Sequence, residues 1–84
     1  MAITPAQLRS FLAVVRTGSV GAAADELFVT PPSVSAAVTA LAGDLGTPLL
    51  ERVGRGVRPT PAGTVYARYA ADVIGLLDEG RRAA

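Results

Sequence analysis

The chain contains neither cysteine nor histidine. Their absence removes disulfides, thiol nucleophiles, imidazole general bases and nearly every zinc site. Catalysis would have to rest on seven carboxylates and the serines. Asp25-Glu26 and Asp78-Glu79 are adjacent in sequence, so their members do not face one another on a helix and read as solvated faces or helix-end charges. Gly54-Arg55-Gly56 lacks the flanking pattern of a phosphate-binding loop. An enzyme is the least favoured class, and no cofactor or metal is expected. Tryptophan is also missing, and the aromatics stop at Phe11, Phe28, Tyr66 and Tyr69, so the core must be built from small aliphatic side chains.

Long apolar runs are missing too. The longest uncharged stretch, residues 27–43, carries two adjacent prolines and four Ser or Thr, which a bilayer-spanning helix does not tolerate. The first five residues lack the basic start and apolar run of a secretory signal, so the expected compartment is the cytoplasm, with no membrane partner. With 84 residues the chain makes one small domain. A domain of that size buries a little over ~60% of its unfolded surface.

Lysine is absent, and all eight basic residues are arginine, a side chain suited to forked phosphate or carboxylate contacts. The net charge of +1 hides an uneven distribution. Residues 51–68 hold Arg52, Arg55, Arg58 and Arg68 against Glu51 alone, whereas residues 31–50 carry only Asp44.

Three Thr-Pro pairs, Thr4-Pro5, Thr30-Pro31 and Thr60-Pro61, mark helix starts: Thr caps free N–H groups, and Pro at the first helical position has none to lose. Gln7 completes a capping box with Thr4. Leu8, Phe11, Leu12 and Val15 then form one helical face, which Gly18 ends. Ser19 caps a short second helix with Ala22, Ala23 and Leu27 on its inner face. A third helix from Pro31 buries Val34, Val38, Leu41 and Leu45 and closes at Gly46.

Subtracting that stripe leaves Pro32, Ser33, Ser35, Ala36, Ala37, Thr39, Ala40 and Gly43 on the rest of the third helix. A solvated face would carry Glu, Lys or Arg; this one is small and uncharged, as if made for close approach. Beyond Thr47-Pro48, two short β-prone runs flank Gly54-Arg55-Gly56 and read as a hairpin with Arg55 at its tip and Pro59 at a strand end. Arg52, Arg55 and Arg58 there form either an anion-binding surface or a solvated loop paired to Glu51 or Asp44. Residues 60–84 form a last helix, about 37 Å long if continuous. Its apolar positions Ala62, Tyr66, Tyr69, Val73 and Leu76 recur at coiled-coil spacing, and Val73, Ile74, Leu76 and Leu77 are expected to lie beyond the reach of the core, which favours a dimer.

Helix, short helix, turn, helix, hairpin and helix is the order of a winged helix-turn-helix, a mainly α fold in which the third helix enters the DNA major groove. The residues Gly18-Ser19, Ala22-Ala23, Leu27, Thr30, Pro32, Val34-Ser35, Leu41, Leu45-Gly46, Pro48-Leu49, Glu51-Arg52 and Thr60-x-Ala62-Gly63 resemble the N-terminal domain of LysR-type transcriptional regulators across essentially the whole chain. The resemblance implies a prokaryotic transcription factor that binds double-stranded DNA at an imperfect inverted repeat as a homodimer. It places a DNA-binding domain at residues 1–59, with the helix-turn-helix at about 20–39 and the wing at about 49–59. Residues 60–84 become a linker helix that pairs antiparallel with its mate through Tyr66, Tyr69, Val73, Leu76 and Leu77. A larger C-terminal domain that binds a small-molecule effector lies outside this chain, and some relatives assemble as tetramers.

Carried across by residue, the recognition set is Thr30, Pro31, Pro32, Ser33, Ser35, Ala36 and Thr39. Arg55 matches a wing-tip arginine entering the minor groove; Arg52 matches a phosphate-contacting or fold-maintaining position; Arg58 and Arg9 complete the expected phosphate contacts. Such a dimer would neutralise about six to eight phosphates and show a log–log salt slope near −5 to −7. Position 31 is usually Gln in this family and here is Pro, while 36 and 37, often Arg-Gln, are Ala-Ala. Bidentate readout of guanine or adenine from this helix is therefore excluded by residue type, leaving Ser and Thr hydroxyls, methyl contacts to thymine, and DNA shape. Two alternatives stand beside this reading: a different winged-helix regulator family, such as molybdate-responsive relatives, and a winged helix used only for protein interaction.

Overall fold

The computed structural model describes residues 2–84. In chain order it contains α1 (Pro5–Thr17), α2 (Val20–Leu27), α3 (Pro31–Leu45), β1 (Leu50–Val53), β2 (Gly56–Pro59) and α4 (Pro61–Ala83). All four helix starts are capped as their sequences require. The Thr4 hydroxyl accepts from the Gln7 N–H at 3.2 Å while the Gln7 side chain accepts from the Thr4 N–H at 3.1 Å. Ser19, Thr30 and Thr60 accept from the N–H three residues on. Gly18 and Gly46 close α1 and α3 in the left-handed region, at φ 72° and 71°.

The close of α2 is different. No glycine follows it; Phe28 takes the left-handed cap at φ 58° and leaves its ring 94% exposed. A bulky L-residue is strained in that region.

The core gathers on α1, which packs against α2, α3 and α4. Leu8, Phe11, Ala13 and Val14 are buried there, together with Val34, Val38 and Leu41 of α3, and Leu49. Contact on three sides widens the buried arc of α1 beyond a single stripe, so Ser10, Ala13 and Val14 are inside while Leu12 and Val15 are only half-buried. On α2 the inner face is Ala23, Ala24 and the half-buried Leu27, not Ala22, which is exposed. With half-buried Val20 these residues complete the i, i+3, i+4, i+7 pattern that the run of alanines concealed.

β1 and β2 pair antiparallel from Leu50↔Pro59 to Val53↔Gly56. The loop is therefore only Gly54-Arg55, with Gly54 at φ 58°, and Gly56 belongs to the strand rather than the tip. Two anchors hold this hairpin to the helices. The Val57 N–H donates to the Gly18 carbonyl at 3.0 Å, and Thr60 ties back to the hairpin root through Leu49 and Pro48 at 3.0 and 2.7 Å. At Gly63 a Cβ would lie 2.9 Å from the Leu49 carbonyl carbon and closer still to its oxygen. Only glycine lets α4 begin this close to the wing.

The last helix overturns part of the sequence expectation. Rather than leaving the body after two turns, α4 lies back along α1: Ala70 and Ile74 are buried, and Tyr66 packs on Phe11 with ring centroids 6.0 Å apart. Ile74 is thus core and not part of an outer seam. The exposed apolar residues of α4 are Val65, Tyr69, Val73, Leu76 and Leu77. Among the described residues, no helix is long and apolar enough to cross a membrane.

Candidate nucleic-acid interface

Helix α3 is fixed by one face and offers the other. Val34, Val38 and Leu41 are locked in the core, which leaves Pro31, Pro32, Ser33, Ser35, Ala36, Thr39, Ala40 and Gly43 exposed on a single uncharged surface. The expected recognition residues are therefore brought together, although their side chains are not equally free. Thr30 serves as the N-cap, and its hydroxyl lies 2.9 Å from that of Ser33. Pro31 and Pro32 have no N–H, and the next two donors, on Ser33 and Val34, both reach the Thr30 carbonyl. A helix N-terminus normally offers several free N–H groups to an anion; here that capacity is largely spent. The hairpin beside it carries exposed arginines, while Ser35, Ala36 and Thr39 offer two hydroxyls and small apolar surface.

The wing arginines separate on the same test. Arg52 and Arg55 are exposed and in no ion pair among the described residues. Arg58 pairs across the ladder with Glu51 at 2.9 Å, the partner that the strand register places opposite it. Both side chains are largely exposed, so the pair is weak and open to competition from phosphate.

Arg9 is engaged within its own chain. Its guanidinium grips the Asp78 carboxylate, with contacts of 2.7 and 3.5 Å, and so joins α1 to the far part of α4. The hydrogen bond raises Arg9 and holds Asp78 below the usual carboxylate range, with attraction between the two charges adding to it. Sequence separation hid this partner, which lies 69 residues away. Tyr66 likewise leaves the proposed dimer seam in part, because Phe11 covers one side of its ring. Sequence reasoning passed over two surface features: the exposed Phe28 and Val29 at the α2–α3 turn, and the position of Arg68 beside Val65, Tyr69 and Asp72 on α4. No local motif at Phe28 signals a left-handed residue. Among the described residues no cluster of three potential metal ligands occurs.

A three-helix body that presents an uncharged helix face beside a hairpin with two unpaired arginines defines a winged helix-turn-helix domain of the DNA-binding class. Residues 5–64 match the family model for the bacterial regulatory helix-turn-helix proteins of the lysR family. The chain belongs to that family. It is 49% identical over 74 residues to the HTH-type transcriptional regulator Rv0377 of Mycobacterium tuberculosis, covering 88% of this chain and 23% of the relative. A Corynebacterium glutamicum OxyR C206 mutant superposes with a TM-score of 0.94 at 34% identity, over 98% of this chain and 26% of that one. The BenM DNA-binding domain, solved as a complex with catB site 1 DNA, superposes with a TM-score of 0.89 at 35% identity, over 95% of this chain and 89% of that one. The chain thus spans about a quarter of the length of the full-length regulators it matches.

Proposed function

We propose that residues 1–59 read double-stranded DNA and that residues 60–84 join two copies, so that a homodimer recognises an inverted repeat upstream of bacterial genes. The observation that carries this reading is the division of α3 into a locked apolar face and an uncharged free face, set beside Arg52 and Arg55. In it, Pro32, Ser33, Ser35, Ala36 and Thr39 face the major groove, and Arg55 reaches the adjacent minor groove or phosphates. Because no side chain on that face can bridge a base bidentately, specificity rests on hydroxyl and methyl contacts and on DNA shape. The BenM domain, solved on DNA, supports the partner class. Tyr69, Val73, Leu76 and Leu77, exposed along α4, support the dimer. The role is regulatory rather than catalytic, exercised in the cytoplasm, with effector binding and any tetramer assembly assigned to the remainder of the protein.

The test is selection from a random duplex pool at low and moderate salt. A dyad-symmetric motif with half-sites about one helical turn apart is the expected outcome. Retention without a motif would mean that the α3 face positions the domain without specifying sequence, leaving recognition to tetramer geometry or shape, and no retention at all would replace this reading with a protein-interaction module.

A further inference from the structure

The inward row of α4 ends on a charge. Tyr66, Ala70 and Ile74 follow one another at spacings of four against α1, and the next position on that row is Asp78. Its carboxylate is gripped by Arg9 of α1, at 2.7 and 3.5 Å. Beyond Ile74 every other residue of α4 is exposed, and among the described residues this pair is the only polar tie from there to the body. The helix is also weakest there. Gly75 and Gly80 flank Asp78, and at neither would a Cβ meet anything within 4 Å that calls for glycine. Both partners of the pair are 36% exposed, so it adds little to stability. Its place at the far end of a lever gives it another role.

The near end of that lever is held by packing. Gly63 sits against the Leu49 carbonyl at the root of the wing, and Tyr66 packs on Phe11. From Gly63 to Asp78 the helix runs about 22 Å, against about 16 Å from Gly63 to Ile74. A swing of about 10° over the longer distance displaces the body by about 4 Å. One base pair of separation between half-sites moves one of them by about 3.4 Å and turns it by about 35°. The two displacements are of one size. We propose that Arg9–Asp78 is a positioning pair, which fixes the angle between α4 and the DNA-reading body and so sets the half-site separation that the homodimer accepts. The inference rests on the homodimer reading above, and it concerns a tie within each chain rather than the surface by which two chains meet. Arg9 acts through Asp78 and does not touch DNA.

The test uses duplexes that carry the selected motif with one base pair added to or removed from the separation between half-sites. Fluorescence anisotropy compares the wild type, Arg9→Ala, Asp78→Asn, and the exchange of Arg9→Asp with Asp78→Arg. The wild type should bind the altered separations about 10-fold more weakly than the original, and this penalty should fall to about 3-fold in both single variants, a change that an exposed ion pair can supply. It should return in the exchange, which restores the pair with its charges reversed. A melting temperature that falls in the single variants while the penalty holds would make the pair structural only and overturn the inference. A penalty relaxed in one single variant but not in the other would refute the pairing. A salt slope flattened by Arg9→Ala, with the penalty unmoved by Asp78→Asn, would make Arg9 a phosphate contact and overturn the inference likewise. A wild type that binds a single half-site as tightly as the full duplex would remove the homodimer reading, and this inference with it.

Discussion

Arg58 is the informative wing residue, because the structure gives it a competitor. Among the described residues Arg52 and Arg55 are in no ion pair whereas Arg58 is held by Glu51 at 2.9 Å, so the proposed dimer would bring four free wing arginines to DNA and two that are shared. At about 0.9 of a slope unit per neutralised phosphate, the wings contribute a log–log salt slope near −3.6, shallower than the −5 to −7 expected from residue counting. Between 50 and 200 mM salt that share weakens binding about 150-fold. Arg55→Ala removes one contact per protomer; the slope should flatten by about 1.8, and the wing's loss over the same range should shrink to about 12-fold. Glu51→Gln acts in the opposite sense, releasing Arg58 and steepening the slope by up to about 1.8. The assay is fluorescence anisotropy of the selected duplex, titrated at a series of salt concentrations for all three proteins. A slope indifferent to Arg55→Ala would remove the wing from the interface. A slope indifferent to Glu51→Gln would mean that phosphate already displaces Glu51, and that the ion pair seen in the free chain does not persist on DNA.

Glycine substitutions should diverge by position. Gly63→Ala drives a methyl into the Leu49 carbonyl and should cost about 3 kcal/mol, lowering the melting temperature by 12 °C or more. Gly43→Ala, on an exposed part of α3 with nothing within 4 Å, should instead raise it by several degrees; circular dichroism melts decide, and equal effects would refute the close approach at Gly63. Phe28→Asn relieves a left-handed aromatic residue and should stabilise the fold by about 1 kcal/mol; a loss of stability in the same melts would show that the ring is packed after all. The Arg9–Asp78 pair lowers the carboxyl in the folded state, so its contribution is full above the ordinary Asp range near 4 and fades as pH falls through the lowered value. The advantage of the wild type over Asp78→Asn in melting temperature should be constant at neutral pH and shrink as the pH falls below the ordinary Asp range; a gap that does not narrow there would refute the linkage.

What the sequence disclosed follows from the range of the interactions involved. Caps and helix ends are settled within four residues, so Thr4 with Gln7, Ser19, Thr30, Thr60, Gly18 and Gly46 were all legible. The uncharged face of α3 was legible by subtraction, because the helix spends its large apolar residues on one stripe and leaves small and hydroxyl side chains on the other, with Asp44 half-buried near its end. Long-range pairings were not. Arg9 finds Asp78 across 69 residues, and Gly63 owes its identity to Leu49, which lies on another element. Helix α4 shows why periodicity alone misled: two apolar stripes on one helix interleave, and a single heptad reading drew Tyr66 from the inner stripe and Tyr69 from the outer.

Separating those stripes also shows what the outer one contains. Once Ala70 and Ile74 belong to α1, the outward seam must accept Asp72 and Glu79 as members. An apolar seam that includes two acidic residues gains little from facing its own mirror. In the dimer proposed above those carboxylates would have to meet donors or a helix start of the other copy, and two α3 faces, each with few base-reading groups, would then read a symmetric site together.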